Sequence, residues 1–435
     1  PTKRLKVEEM ITSPPFSTHA HAHADENDSI DLPSVPVAEL RGHGDGPIHI
    51  VRFTADGKYC ITGAHDRTVQ LWNPTRIDPA YRPPPPSANT ISNDIHVSSS
   101  HISSQEYYGR KLQPTTTQLQ QRKEPPSALP MQTYTDGHLH PIHCIATNSS
   151  STILLSTSDK TLLATDLITA QTKQKWWGHE ARIEYVACLG GSGNEHDGKR
   201  NNNNNNSTIG EEVYATASYD STVRLWDARS RSKEPLMILD QARDAVTCVA
   251  AGRGGDAQIV TSSVDGKIRT YDLRTAQIFT EDIIHPITSF SITTNDDVGA
   301  STTAASCLDG IIRLWRCGPS SAEKKMVRKL HSLHKSINHK VECAFTSNGE
   351  YLISGSECGA VAVYPVGSNL DGTSETSGGS EAALPVGMTL QRHTGPTCSV
   401  AACPQESRPW LIVSASYDGS AVVWSSRAQY DCLLD

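Results

Sequence analysis

The chain has 435 residues and a formal net charge of −8, with 39 Lys and Arg against 47 Asp and Glu. A dedicated nucleic-acid-binding protein needs a basic surplus to neutralise phosphates, so we expect no direct, sequence-specific contact with DNA or RNA. The eleven cysteines include no CxxC pair or zinc-finger spacing and no apolar run is long enough for a membrane helix, which predicts a soluble intracellular protein without a metal, a cofactor or a membrane partner.

The chain divides into a folded segment and low-complexity segments. Residues 1–36 have neither strand nor helix periodicity and include a His-Ala alternation at 19–23, so we interpret them as a disordered tail. Short alternating strands recur over residues 37–424, where three insertions are predicted at about 74–126, 190–208 and 369–382. The last segment, residues 425–435, is assigned as a C-terminal tail.

One spacing recurs along the folded segment: an Asp in a tight turn is followed six residues later by an aromatic residue. The five clear pairs are Asp66 with Trp72, Asp220 with Trp226, Asp265 with Tyr271, Asp309 with Trp315, and Asp418 with Trp424. Weaker copies begin at Asp159 and Cys358, which makes seven. Without the insertions the copies are about 40 to 45 residues apart, the period of a four-stranded propeller blade.

Two copies contain a fuller set of polar residues: His179, Ser218, Asp220 and Trp226 in one, and His393, Ser416, Asp418 and Trp424 in the other. Such a set can form a hydrogen-bond relay from a loop His through the turn Asp, a hydroxyl and the indole N–H. His, Ser and Asp could also form a catalytic triad, but an enzyme needs one activated nucleophile, whereas this set recurs. We therefore assign the set a structural role and expect no catalytic residues; a propeller enzyme with a channel site is the least supported alternative.

The stretch 42–73, GHGDGPIHIVRFTADGKYCITGAHDRTVQLWN, resembles one repeat of the WD-repeat family. The seven copies extend this resemblance over nearly the whole folded segment. It implies an all-β fold, a closed seven-bladed propeller whose N-terminal strand completes the last blade. Residues 35–40 would then pair with the seventh unit and remove the open sheet edges.

A narrower resemblance is carried by residues 239–246 and 263–274 in the fourth unit, by Asn73 and Pro74, and by residues 384–387. These stretches are similar to a subgroup of the family that organises mitogen-activated protein kinase cascades and associates with the spliceosome. The resemblance implies a scaffold in pre-mRNA splicing or MAP kinase signalling, present in the nucleus and the cytoplasm. The departures from the family pattern are Thr165, where a Trp is expected, and Cys358, which replaces the turn Asp.

Candidate partner-binding residues lie just before each turn Asp, where they are expected to project at one rim of the ring. They are His65, Ser158, Tyr219, Val264, Leu308, Glu357 and Tyr417. Arg243 joins them because it stands where other units have a Gly-His pair. Tyr219 and Tyr417 are large amphipathic groups of the kind that dominate interface energetics; the alternative interpretation is an ordinary solvated loop.

The sequence at 226–229, W-D-x-R, provides a second functional hypothesis. It is similar to the box by which WD-repeat substrate receptors dock on cullin-type ubiquitin ligases. The resemblance implies that Arg229 binds a ligase adaptor at the opposite rim, where a guanidinium can pair bidentately with a carboxylate. A ubiquitin-ligase substrate receptor is therefore the alternative to a scaffold.

Overall fold

The computed structural model describes residues 33–44, 46–76, 125–135, 137–189, 213–230, 232–252, 255–295, 300–317, 324–331, 333–366, 387–405, 408 and 410–426. Most of the predicted N-terminal tail, the three insertions and the C-terminal tail lies outside these residues. Within them every regular element is a β-strand. The predicted all-β class is confirmed.

Seven antiparallel sheets follow one another along the chain, and each forms one blade. Blade 1 contains β2 (Ile48–Phe53), β3 (Cys60–Ala64), β4 (Val69–Trp72) and β6 (Gln132–Tyr134). Blade 2 contains β7 (Ile142–Thr147), β8 (Ile153–Ser158), β9 (Thr161–Asp166) and β10 (Thr172–Trp177). Blade 3 contains β11 (Ile183–Cys188), β12 (Val213–Ser218), β13 (Val223–Asp227) and β14 (Met237–Leu239).

The remaining four blades repeat the pattern. Blade 4 contains β15 (Val246–Gly252), β16 (Gly255–Ser263), β17 (Lys267–Asp272) and β18 (Gln277–Asp282). Blade 5 contains β19 (Ile287–Asn295), β20 (Ala300–Cys307), β21 (Ile312–Cys317) and β22 (Lys324–Leu330). Blade 6 contains β23 (Cys343–Phe345), β24 (Tyr351–Ser354), β25 (Ala360–Pro365) and β26 (Met388–Gln391). Blade 7 contains β27 (Thr397–Ala402), β28 (Ile412–Ser416) and β29 (Ala421–Ser425), together with β1 (Val35–Leu40) and β5 (Ser127–Ala128).

The inner strands close the seven blades into a ring. Each inner strand contacts the inner strand of the next blade, and β27 of blade 7 returns to β2 of blade 1. Strand β1 pairs antiparallel with β29, as predicted, so the N-terminal end of the described chain completes the last blade. Strand β5 then pairs parallel with β1 through Glu39 and Leu40 and gives blade 7 a fifth strand. Both ends of the ring are thus held by backbone hydrogen bonds.

The hydrophobic core lies between neighbouring blades. The cluster between blades 7 and 1 contains Leu40, Ile48, Trp72 and Val413, all fully buried. Burial of each such side chain stabilises the fold by about 1.5–3 kcal/mol. Because a blade buries its faces only against its neighbours, ring closure and core formation are the same event.

Six of the seven inner strands contain a bulge at the same position. The register shifts once near the start of each strand, and the residues left out of the ladder are His49, His143, Glu184, Thr247, Thr288 and Cys398. A bulge redirects a side chain away from the regular alternation of the strand. In these six blades the bulge therefore places one additional side chain near the end of the channel where the inner strands begin.

Candidate functional site

A buried hydrogen-bond relay joins the loop before β11 to the turn between β12 and β13. His179 Nδ1 lies 2.7 Å from Asp220 Oδ2, and His179 Nε2 lies 2.8 Å from Thr216 Oγ1. The Trp226 Nε1–H donates to the same Thr216 hydroxyl at 2.8 Å. Because the Asp220 carboxylate can only accept, Nδ1 of His179 carries the proton, and Nε2 of the neutral ring accepts from the Thr216 hydroxyl.

Blade 1 contains the same relay, although the sequence had pointed only to blades 3 and 7. His43 lies 2.9 Å from Asp66 through Nδ1 and 2.7 Å from Thr62 through Nε2. The Trp72 Nε1–H donates to Thr62 at 2.8 Å. Burial by itself would raise the pKa of Asp66, but the hydrogen bond and the charge interaction with His43 outweigh it and lower that pKa to about 2.

Blade 7 varies the relay by inserting one more hydroxyl. His393 Nε2 lies 2.7 Å from Ser414 Oγ, to which Trp424 Nε1–H donates at 2.8 Å. His393 Nδ1 lies 2.8 Å from Ser420 Oγ, which in turn donates to Asp418 at 2.6 Å. The His, the Asp and the Trp assigned from the sequence are therefore brought together in this blade as well.

The assignment of Ser218 and Ser416 as the relay hydroxyls was wrong. Ser218 Oγ lies two residues beyond Thr216 on the same face of β12 and donates to the Arg182 backbone oxygen at 2.9 Å. Ser416 likewise donates to the Gly395 oxygen at 3.0 Å. Two hydroxyls on one strand face cannot be told apart by periodicity. The hydroxyl ten residues before the Trp is the one that lies level with the indole, and that offset would also have identified blade 1.

Blade 2 departs from the pattern by one deleted residue. Ser158 pairs with Thr161 across a two-residue turn formed by Asp159 and Lys160, so Asp159 lies in the turn but does not occupy the position of Asp220. His138 Nε2 still lies 2.7 Å from Ser156 Oγ. Its Nδ1 is buried without a hydrogen-bond partner, and burial lowers the pKa of His138 to about 4. This imidazole is therefore neutral near pH 7.

In blades 4 and 5 an Arg on the third strand takes over from the loop His as the main partner of the turn Asp. Arg269 pairs with Asp265 and Arg313 pairs with Asp309, each at 2.6 Å through Nη2. In blade 6 Cys358 occupies the turn position, as the sequence indicated. The function common to most of these sets is to hold the turn of a blade in place.

The geometry of the relay is not that of a nucleophile site. Thr216 is fully buried, and its hydroxyl is engaged by both His179 and Trp226. Burial by itself would raise the pKa of Asp220, but hydrogen bonds from His179 and Thr222 hold it well below its usual range. A buried hydroxyl with both neighbours satisfied cannot attack a substrate.

The rim residues predicted from the sequence are exposed or partly exposed, with the exception of Ser158. Tyr219 is 47% exposed, and its ring lies 4.7 Å from the guanidinium carbon of Arg182. His65 and Arg243 are exposed, and Val264, Leu308, Glu357 and Tyr417 are partly exposed. Ser158 is buried because of the shorter turn in blade 2, and Asp159 takes its place at the surface.

Four imidazoles and one phenol surround the end of the channel where the inner strands begin; we call this cluster the channel mouth. His49 Nε2 lies 3.4 Å from His65 Nδ1, and the His49 ring lies 5.7 Å from that of His143 and 5.6 Å from that of Tyr417. Tyr417 also contacts His339, with ring centroids 5.7 Å apart. The sequence had indicated His65 and Tyr417 but not the other three, of which His49 and His143 are the bulge residues.

Charged residues continue the cluster into the channel. Glu184 lies 2.7 Å from Arg182 and 3.2 Å from Lys340, so two cations share one carboxylate. Deeper, Arg52 makes a bidentate pair with Glu342 at 2.8 and 2.9 Å. Arg52, Glu342 and Lys340 thus connect blades 1, 6 and 3 across the channel. Below them the inner strands of all seven blades line a cavity of about 430 Å³.

The sequence profile of the family described as WD domain, G-beta repeat matches residues 34–73, 129–163, 201–227 and 386–425. These matches fall on blades 1, 2, 3 and 7. Blades 4, 5 and 6 are four-stranded sheets of the same kind and complete the ring. The chain contains WD repeats.

Several proteins resemble this chain at modest identity. WD repeat domain-containing protein 83 homolog of Dictyostelium discoideum is 23% identical over 345 residues, 73% of this chain and 82% of the relative. WD repeat domain-containing protein 83 of Rattus norvegicus is 28% identical over 197 residues, 44% of this chain and only 56% of the relative. Apoptotic protease-activating factor 1 of Danio rerio is 22% identical over 270 residues, 61% of this chain and 19% of the relative. The names of the first two relatives agree with the narrower resemblance that residues 239–246 and 263–274 of blade 4 carry.

The W-D-x-R sequence of this WD-repeat chain ends at the rim opposite the channel mouth. Arg229 is exposed, and its guanidinium pairs with Asp227 at 3.1 Å within the same turn. Its backbone N–H donates to the same carboxylate at 2.8 Å. An adaptor that binds Arg229 has to compete with this local pair.

Two absences hold for the residues that the structure describes. No group of three or more His, Cys, Asp or Glu side chains among them is arranged to hold a metal ion. None of the described segments forms a helix long and apolar enough to cross a membrane.

Proposed function

We propose that this WD-repeat protein is a non-enzymatic scaffold that assembles multiprotein complexes in pre-mRNA splicing, in MAP kinase signalling or in both, in the nucleus and the cytoplasm. The similarity to proteins named WD repeat domain-containing protein 83 supports the scaffold role. The resemblance of residues 239–246 and 263–274 supports the choice of pathways. Partner specificity resides in surface loops, so the pathway depends on the rims and not on the blade pattern.

The observation that carries the proposal is the contrast between a satisfied interior and an exposed rim. The relay side chains of blades 1, 3 and 7 are hydrogen-bonded within their own blades, whereas Tyr219 is nearly half exposed and packs against Arg182. A Tyr held in place by a guanidinium loses little conformational freedom on binding, which is a property of interface hot spots.

Affinity purification of the tagged full chain with mass spectrometry tests the proposal. Spliceosomal proteins or MAP kinase components are expected to co-purify, and Tyr219→Ala should weaken their capture about thirtyfold, the loss typical of a hot-spot side chain. Phe279→Ala is the matched control, because Phe279 is an aromatic residue of similar exposure, 41%, on the outer strand of blade 4. Capture of neither class of protein would contradict the proposal.

The second candidate function is that of a substrate receptor for a cullin-based ubiquitin ligase. The exposure of Arg229 at the end of the W-D-x-R sequence supports it. If it is correct, a cullin and its adaptor co-purify with the intact chain, and Arg229→Ala abolishes their capture while leaving partners of the opposite rim bound. Absence of a cullin from the captured proteins would exclude this function.

A further inference from the structure

The channel mouth has an excess of groups that can carry positive charge. Arg182 and Lys340 are both cationic, and Glu184 is the carboxylate between them. The four imidazoles of His49, His65, His143 and His339 add titratable nitrogens around the same opening. A further carboxylate of this rim, Glu357, is not available to balance a protonated imidazole.

That next carboxylate, Glu357, is committed to its own loop. It accepts backbone hydrogen bonds from Ile337, Asn338 and His339 at 2.6, 2.5 and 2.8 Å. The turn carboxylate of blade 1 is similarly engaged, since Asp66 contacts His43 and Thr68. These two carboxylates are thus held by contacts within the protein, whereas Arg182 and Lys340 share the single carboxylate of Glu184.

The surroundings of the two bulge imidazoles keep them neutral in the free protein. Burial lowers the pKa of His49 to about 4, helped by His65 and Arg182 and opposed by Glu184. Burial likewise lowers the pKa of His143 to about 4, helped by Arg182, His49 and Lys340 and opposed by Glu184. Tyr417, whose pKa burial raises, is neutral and packs on His49. An added negative charge beside these two imidazoles would raise their pKa values and favour the protonated form.

We propose that the channel mouth is the docking site for the carboxylate side chains of an acidic peptide segment in a protein partner, bound by Arg182 and Lys340 with uptake of protons by the neighbouring imidazoles. The inference rests on the proposed scaffold function and specifies the chemistry of its partner. The partner carboxylates supply a second counter-charge for Arg182 and Lys340, which share only Glu184. Burial of the peptide against Tyr417 and Tyr219 supplies apolar contact.

Proton uptake follows from linkage between binding and protonation. If one imidazole is neutral in the free protein and protonated in the complex, the affinity rises about tenfold per unit decrease in pH between the free and bound pKa values. The pKa values of His49 and His143 in the free protein lie at about 4, so the pH range over which the affinity changes lies above pH 4. Binding should therefore tighten as the pH falls from 7 to about 5, until the peptide carboxylates themselves become protonated.

The test is fluorescence anisotropy of a labelled hexaglutamate peptide with the full chain, and a hexaglutamine peptide as the neutral control. We expect the Glu peptide to bind at least tenfold more tightly. Arg182→Gln should weaken it about tenfold, whereas Glu184→Gln should strengthen it, because this change releases both cations. Arg274→Gln is the matched control, since Arg274 is exposed and follows β17 at the opposite end of the blades.

Several results would overturn the inference. These are equal binding of the two peptides, equal loss in Arg182→Gln and Arg274→Gln, weaker binding in Glu184→Gln, or an affinity that does not change between pH 7 and 5. Tighter binding of a phosphoserine peptide at the same residues would replace the carboxylate by a phosphate. If cellular partners are captured in a Tyr219-dependent manner but the Glu peptide does not bind, the inference fails alone; if no partner is captured, the scaffold function fails.

Discussion

The hydroxyl of Thr216 holds the blade 3 relay together, and Thr216→Val tests its contribution. Valine has nearly the same shape, so the change leaves no cavity. It leaves the Nε1–H of Trp226 and Nε2 of His179 without their partner at 2.8 Å, in a region where Thr216 is fully buried. Each buried polar group left unsatisfied costs about 1–3 kcal/mol, so with two such groups we expect the variant to lose about 2–6 kcal/mol of stability.

Urea denaturation followed by tryptophan fluorescence measures this loss. Thr216→Ser is the control, because it keeps the hydroxyl, as Ser414 does in blade 7, and should cost much less than the valine variant. Trp226→Phe should cost less in the Thr216→Val background than in the native chain, since the indole N–H then has no partner to lose. A valine variant as stable as the native chain, or additive double-variant costs, would refute the role assigned to the relay.

Three further predictions follow from the same structure. Removal of β1 (Val35–Leu40) exposes the edge of β29, so the truncated chain should aggregate, whereas chromatography with light scattering that finds a stable monomer would contradict this. Arg52→Met or Glu342→Leu alone should cost about 3–5 kcal/mol in urea denaturation by leaving one buried charge unpaired, and the double variant should recover most of it; two additive losses would disprove the pairing. Because Asp66 has a folded pKa of about 2, below its unfolded value, its contribution is complete above about pH 4 and is lost as the pH falls towards 2, and Asp66→Asn should flatten the pH dependence of stability in that range.

The sequence alone was sufficient for the blade number and for closure. The six-residue interval from a turn Asp to an aromatic residue lies within one hairpin, so it is a local property that a single chain displays directly. The pairing of Val35–Leu40 with the last blade was implied by the resemblance to the WD-repeat family, and it is confirmed by the pairing with β29. Local geometry repeated at a fixed period determines a propeller.

The limits of sequence reasoning appeared where two residues of the same type share a strand face or where the register shifts. Ser218 and Thr216 both fit the pattern, and only the packing of Trp226 shows which hydroxyl lies level with the indole. Asp159 keeps the six-residue interval to Thr165, but one deleted residue takes it out of the position that Asp220 holds in blade 3. The same six-residue spacing therefore occurs with a turn that is one residue shorter than in blade 3.

The sequence determined the ring because each blade is a local hairpin structure, and it determined that His65, Tyr219 and Tyr417 project at a rim because they precede the turns. Only the tertiary structure decided which side chains form the channel mouth. His49, His143 and His339 come from three different blades, and two of them point there because a bulge interrupts the alternation of their strands. Contacts between inner strands far apart in sequence leave no periodic pattern, because they depend on the closure of the whole ring.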